Sequence, residues 1–128
     1  MTIEGIGTDI IEIERIKHAI LRHAPHFLNR VFTLAEQSYC LQFRESHRHF
    51  SGRFAAKEAI VKALGTGFRG GISWLDIEIM NNSAGAPQVM FFGALKSLVE
   101  QKNLQVMVTI SHCKEYATAF AICQSERD

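Results

Sequence analysis

Residues 54–67 constrain the fold of this chain most, because they combine a helical apolar stripe with a charge inside it. At roughly 100° per residue, one face of the helix carries the apolar side chains of Phe50, Phe54, Val61 and Leu64. Lys57 lies within that face. An unpaired charge on a buried face is costly, so such a group is normally paired, bound to a metal or facing a ligand. Gly65 predicts the end of the helix.

Two further charges lie beside this stripe. Glu58 is at its edge, and Lys62 is one helical turn beyond Glu58. A surface pair four residues apart, worth only a few tenths of a kcal/mol, explains both. That explanation leaves Lys57 unexplained, and the Gly65-Thr66-Gly67 backbone that follows can be approached closely by an anionic ligand. A surface pair and a ligand site therefore both remain open.

The remaining patterns predict an α+β fold, with a mostly antiparallel sheet packed against helices, in a single compact domain over residues 1–128. Strands are predicted at residues 2–10, 75–80, 87–92, 104–110 and 116–123. Helices are predicted from residue 13 to just before Pro25, from a capping box at residues 33–36 to about residue 45, from residue 47 or 49 to 64, and over 93–103.

Basic residues are concentrated between residues 15 and 53. Half of the 14 Lys and Arg residues lie there with only two acidic residues, although the net charge of the chain is +1. A basic surface attracts an acidic partner such as nucleic acid, an anionic membrane or an acidic protein. A solvated helical face without a partner explains the same pattern equally well.

The three cysteines, Cys40, Cys113 and Cys123, are few, odd in number and widely spaced. This usage fits a reducing cytosol better than a disulfide framework. The N-terminus shows no signal-peptide pattern, and the apolar runs are too short to cross a bilayer. We therefore expect a cytoplasmic protein that does not bind membranes.

Two carboxylates are candidate metal ligands. Asp9 is predicted to project from the end of the first strand, and Asp9 and Glu58 are hard oxygen donors of the kind that Mg²⁺ uses. Lys62 and the glycine-rich loop, residues 65–71, could supply positive charge and amide N–H groups to phosphates. Asp9 as a turn or cap residue and His112 as a structural loop histidine are the simpler alternatives.

Five separated segments, taken together, resemble a known family. They are GIGTDIIEI at 5–13 with Arg15-Ile16, RVFT at 30–33 with Glu36 and Tyr39-Cys40, GRFAAKEA at 52–59, DIEI at 76–79, and Ser111-His112 with Tyr116-Ala117. In this order and in a chain of this size they resemble holo-[acyl-carrier-protein] synthases, the small bacterial 4′-phosphopantetheinyl transferases. The resemblance extends from about residue 3 to 122.

The resemblance implies a reaction and roles for the site residues. The phosphopantetheine arm of coenzyme A is transferred to a serine of apo acyl carrier protein, and adenosine 3′,5′-bisphosphate is released. Asp9 and Glu58 would hold Mg²⁺ against the coenzyme A pyrophosphate, with Lys62 neutralising phosphate charge and Lys57 supporting the same pocket. Glu58 and Lys62 would be catalytic, and the base would be Glu58 or a water.

The remaining implications concern the nucleotide, the carrier and the assembly. His112 and the loop, through Gly65 and Gly67, would border the nucleotide. The family is typically a homotrimer with sites between protomers. Acyl carrier proteins are acidic, and Arg15 and Arg22, seven residues apart on one helical face, would dock the carrier.

Two rival functions use only part of this pattern. A non-enzymatic binder of nucleic acid would use the basic helices but has no need of Asp9, Lys57 or Glu58. A metal-dependent phosphohydrolase would use the carboxylates but would release free phosphate. We therefore expect coenzyme A and an apo carrier protein as partners, and no nucleic acid.

Overall fold

The long helix predicted around Lys57 is the central element of the structure, a computed structural model that describes residues 1–126. The helix spans Ser46–Leu64, and its inward face carries the predicted apolar stripe. It ends at Gly65, whose φ of 77° is a left-handed conformation that glycine adopts without strain.

The order of elements confirms the predicted α+β class. The strands within residues 1–126 are β1 (Thr2–Glu12), β2 (Ile77–Asn81), β3 (Pro87–Phe91), β4 (Leu104–His112) and β5 (Tyr116–Ser125). The helices are α1 (Ile13–His23), α2 (His26–Val31), α3 (Leu34–Leu41), α4 (Ser46–Leu64) and α5 (Gly93–Gln101), with a short 3-10 helix at Trp74–Asp76. Strands β1, β5 and β4, in that order, form one antiparallel sheet, and β2 pairs with β3 in a second.

Three local differences separate the structure from the sequence-based expectation. Helix α2 was not predicted, because its six residues are too few for helical periodicity to show. Helix α3 ends at Leu41, where tighter i→i−3 bonds from the amides of Gln42 and Phe43 replace the helical pattern. Strand β1 continues to Glu12, so Asp9 lies within a strand and not at its end.

The three-stranded sheet packs closely on α4 because small residues line the contact. A Cβ atom added at Gly5 would overlap the carbonyl oxygen of Ala63, and one added at Gly7 would overlap that of Ala59. On β5 the buried side chains are also small: Ala117, Ala119, Ala121 and Cys123. Strand β1 therefore lies almost against the backbone of α4, and this brings the polar residues of the two elements together.

The opposite face of the same sheet, called here the outer face, is apolar and exposed. Cross-strand pairing places Ile6, Met107 and Phe120 on it, with exposed fractions of 62%, 49% and 40%. Ile10, further along β1, is 67% exposed. Contiguous apolar surface of this kind marks an interaction site. Within residues 1–126, no helix is both long enough and apolar enough to span a membrane.

Candidate functional site

The structure brings Asp9, Glu58 and Lys62 together where β1 crosses α4; we call these three residues the carboxylate cluster. The Lys62 ammonium donates to the carbonyl oxygen of Thr8 at 2.9 Å and to Asp9 Oδ1 at 3.2 Å. The glycines of β1 create this arrangement, since a Cβ at Gly7 would lie 3.0 Å from Lys62 Cβ. Lys62 remains half exposed and Asp9 mostly buried. The cluster therefore opens to solvent on the lysine side.

Glu58 is the titratable group that this environment perturbs. Burial raises the pKa of its carboxyl, the negative charge of Asp9 raises it further, and the Lys62 ammonium lowers it. Two carboxylates that repel each other in this way are stabilised by a cation between them. Residues 1–126 contain no cluster of three or more protein ligands for a metal. Two carboxylates fit Mg²⁺, which usually takes one or two together with waters and substrate phosphates.

The loop after α4 differs from one sequence-based expectation. The amides of Gly65, Thr66 and Gly67 all donate to carbonyl oxygens in the last turn of α4, at 3.1–3.3 Å. These N–H groups cap the helix and are not free to bind a phosphate. Gly65 and Gly67 both have positive φ, and a Cβ atom added at Gly65 would have no neighbour within 4 Å, so the loop is open to solvent there.

Lys57, which the resemblance implied would support the coenzyme A pocket, uses all of its hydrogen-bond donors within the fold. Its side chain is fully buried, and its Nζ donates to Glu36 Oε1 at 2.8 Å and to the carbonyl oxygens of Val31 at 2.8 Å and Trp74 at 3.1 Å. An ammonium has three donors, so none is left for a phosphate. Burial lowers the pKa of Lys57, and the charge of Glu36 opposes that shift. Lys57 therefore supports the fold beneath the site and does not contact a ligand in it.

His112 lies away from the carboxylate cluster, in a cleft of about 210 Å³ that we call the His112 pocket. The pocket is lined by Tyr39, His49, Gly52, Arg53, Asn81, Gly85, Pro87, Ile110 and His112. None of the three residues of the carboxylate cluster lines it. Within one protomer, the structure therefore separates two groups of residues to which the family resemblance assigns parts of the same ligand.

Arg53 is the residue of this pocket that the sequence analysis missed. Arg53 is 4% exposed. Its guanidinium donates from Nε to the carbonyl oxygen of Ile79 at 3.1 Å and from Nη2 to Asn81 Oδ1 at 2.8 Å, and it lies 4.4 Å from the centre of the Tyr39 ring. Within residues 1–126, no carboxylate forms an ion pair with it. A buried cation without a counter-charge favours an anionic ligand. Arg53 lies four residues before Lys57, on the same inward helical face, and this spacing could have identified it from the sequence.

Helix α4 separates the two groups. Arg53 and Glu58 are five residues apart, which is about 140° around an α-helix, so their side chains leave different sides of it. Within one protomer, the carboxylate cluster and the His112 pocket therefore lie on different sides of α4.

The predicted docking residues are exposed. Arg15 and Arg22 both lie on the solvent side of α1, which buries Ile16. Lys17, Arg30 and Arg44 are exposed as well, and none of these five forms an ion pair with a carboxylate of residues 1–126. Arg48, by contrast, pairs with Glu45 at 2.8 Å. The basic segment thus presents uncompensated positive charge to solvent.

Comparison with known proteins gives consistent matches over nearly the whole chain. A family model described as the 4′-phosphopantetheinyl transferase superfamily matches residues 5–121. The chain is 55% identical over 121 residues to the holo-[acyl-carrier-protein] synthase of Protochlamydia amoebophila, covering 94% of this chain and 98% of the relative.

Two solved structures are similar in fold. The holo-[acyl-carrier-protein] synthase of Neisseria meningitidis has a TM-score of 0.89 at 32% identity, covering 96% of this chain and 99% of that one. The synthase of Bacillus anthracis, solved in complex with CoA (3′,5′-ADP), has a TM-score of 0.82 at 34% identity, covering 98% and 100%. The matched residues include the carboxylate cluster and the His112 pocket.

Proposed function

The chain belongs to the 4′-phosphopantetheinyl transferase superfamily, and from that membership we propose that it acts as a holo-[acyl-carrier-protein] synthase. It transfers the 4′-phosphopantetheine group of coenzyme A to a serine of apo acyl carrier protein and releases adenosine 3′,5′-bisphosphate. This activates the carrier for fatty-acid synthesis. The observation in the structure that supports the proposal is the carboxylate cluster, which brings two carboxylates and an ammonium together in the last turns of α4 and the facing part of β1.

Asp9 and Glu58 are the residues that would hold Mg²⁺. When bound, the ion neutralises pyrophosphate oxygens and stabilises the charge that develops on the leaving group. Lys62 adds a second positive charge from the half-exposed side of the cluster. Its ammonium contacts Asp9 Oδ1 and is half exposed, so it would exchange that contact for a phosphate oxygen when coenzyme A binds.

The transfer forms one bond and breaks one. The carrier serine Oγ bonds to the phosphorus next to the pantetheine arm, and the bond from that phosphorus to the bridging pyrophosphate oxygen breaks. The electron pair leaves with adenosine 3′,5′-bisphosphate, and the serine proton is transferred to a base. Glu58 would accept this proton either directly or through a water, the two routes that the family resemblance leaves open.

The His112 pocket would hold the nucleotide end of coenzyme A, with Arg53 facing its phosphate. Since α4 separates this pocket from the carboxylate cluster, the complete site would form between protomers. The outer face supplies surface for such an assembly, because its isoleucines, Met107 and Phe120 would be buried by neighbouring copies. We propose a homotrimer, as the family resemblance implies.

The basic face of α1 would bind the carrier. Arg15 and Arg22 are exposed and carry no ion pair with the described carboxylates, so they are available to an acidic helix. Several weak, exposed pairs together steer association even though each is worth only ~0–1 kcal/mol. The free thiols of Cys40, Cys113 and Cys123 fit a cytoplasmic location.

Incubation with coenzyme A, Mg²⁺ and apo carrier protein tests the proposal. Mass spectrometry should show a gain of one phosphopantetheine group on the carrier. Asp9→Asn and Glu58→Gln should each reduce the rate at least ~100-fold, because each weakens the binding of the charge-stabilising ion. Glu100→Gln, which changes an exposed carboxylate of α5, is the matched control and should keep the full rate.

The same experiment distinguishes the rival functions. Release of free phosphate without a mass gain would indicate a phosphohydrolase. Full transfer activity in both carboxylate variants would refute the assignment of the cluster, and absence of transfer by the wild-type protein would refute the proposed function.

A further inference from the structure

His49 lies in the wall of the His112 pocket, next to His112. Its ring stacks on Phe43, with 3.8 Å between ring centres and 21° between planes, and meets the edge of His112 at 5.5 Å. Tyr39 lies 6.2 Å away on the α3 side. The His49 ring is thus held by Tyr39 and Phe43 on one side and by β4 on the other, while its own helix also carries Arg53.

The charges around His49 are almost all positive. Arg48 and Arg53 come from its own helix and His112 from β4, and among the described residues the acidic group that acts on it is Glu45, which already pairs with Arg48. Burial is the largest cause of a lowered pKa at His49, followed by the charges of His112, Arg53 and Arg48. The pKa of His112 is lowered as well, by burial and then by Arg48. In the free protein, the protonated form of each ring is therefore disfavoured relative to a free imidazole.

We propose that His49 is a specificity-determining residue of the His112 pocket, which gains affinity for a phosphorylated nucleotide when this imidazole takes up a proton. The inference rests on the proposed function, since it assumes that the nucleotide end of coenzyme A enters this pocket. A dianionic phosphate beside Arg53 reverses the sign of the local charge. The positive surroundings that disfavour a protonated His49 in the free protein are then compensated, so binding is coupled to proton uptake.

Binding of adenosine 3′,5′-bisphosphate tests the inference without the transfer reaction. Calorimetric titrations of the wild-type protein, His49→Phe and His49→Gln are compared between pH 8 and pH 6. The ligand phosphates, with a second pKa of about 6, titrate identically in all three experiments. The affinity ratio of wild type to either variant should therefore rise by about threefold to tenfold over this range, as expected for one added charge at roughly 6 Å in a solvent-screened pocket.

The number of protons bound together with the nucleotide is a second measurement. A purely structural role of the His49 ring would not change this number. Titrations at pH 7 in buffers of different ionisation enthalpy should show more protons bound per nucleotide by wild type than by His49→Phe, which keeps an aromatic ring against Phe43. His23→Phe, at the exposed end of α1, is the matched control and should behave as wild type.

The possible failures are distinct. If both His49 variants bind more weakly by the same factor at every pH, with unchanged proton uptake, His49 is only a packing residue and the inference is refuted. If wild type binds no nucleotide at any pH, the proposed function itself fails, and the inference fails with it.

Discussion

Replacing Lys57 with methionine would remove a buried ammonium while keeping an unbranched chain of similar volume. The change deletes three hydrogen bonds, to Glu36, Val31 and Trp74, and leaves the fully buried Glu36 carboxylate without its counter-charge. Breaking a buried ion pair from one side typically costs ~3–5 kcal/mol. For a domain of this size, that loss should lower the midpoint of thermal unfolding by about 10–20 °C.

A double-mutant cycle separates the unpaired charge from the other effects of the substitution. Glu36→Gln alone leaves the ammonium unpaired and should cost a similar amount, whereas the double variant removes both buried charges of the pair. We therefore expect the double variant to be more stable than the sum of the single effects predicts, by at least ~2 kcal/mol. Urea unfolding followed by circular dichroism measures all four proteins.

Lys62→Met, on the same helix, is the matched control for stability. Its ammonium is half exposed and pairs with Asp9 at 3.2 Å, so its loss should cost under ~1 kcal/mol. Two outcomes would refute the argument that this pair stabilises the fold beneath the site. The effects of Lys57→Met and Glu36→Gln could add without coupling, or the Lys57→Met protein could be as stable as Lys62→Met.

Three further predictions concern the site residues and the docking surface. Lys62→Ala should weaken the binding of coenzyme A by ~1.5–3 kcal/mol, the usual range for a lost contact to a charged group, and should leave the KM for carrier nearly unchanged. An unchanged coenzyme A affinity would show that Lys62 forms only a surface ion pair. In Mg²⁺-free buffer, the pKa of Glu58 should lie above that of a free glutamate, and in Lys62→Ala it should be higher still, because the ammonium lowers it; identical Glu58 pKa values in the two proteins, measured by NMR of the side-chain carboxyl, would contradict this. Reversing Arg15 and Arg22 to Glu should raise the KM for carrier, and added salt should do the same in wild type, since the Debye length is only about 10 Å at 0.1 M; a KM indifferent to both would place the docking surface elsewhere.

Local patterns in the sequence were sufficient for most of the secondary structure. The α4 helix, its end at Gly65, the capping box at Thr33 and the β4–β5 hairpin were all predicted, because each depends on residues within a few positions of one another. The same periodicity correctly identified Lys57 as an inward-facing charge that requires a partner.

The partner itself was not predictable from local pattern. Glu36 already had a sufficient local role, and the capping box with Thr33 is present as expected. Its carboxylate has more acceptor capacity than the cap uses, however. Oε1 also accepts from Lys57, and Oε2 accepts from the amide of Ile79, 43 residues away. A residue with one evident role gives no sign in the sequence of a second one.

The division of the site was likewise decided by tertiary structure. The family motifs and the helical pattern identified Asp9, Glu58, Lys62 and His112, but local pattern does not show which side of α4 a residue on another element, such as Asp9 or His112, will meet. The glycines of β1 allow the strand to approach α4 closely enough for Asp9 to meet Lys62, whereas His112, on β4, lies against His49 on the other side of the helix. Helix and strand formation are governed by neighbours along the chain. The cluster and the pocket depend on contacts between segments more than 50 residues apart, and only the folded packing of α4 against the sheet determines those contacts.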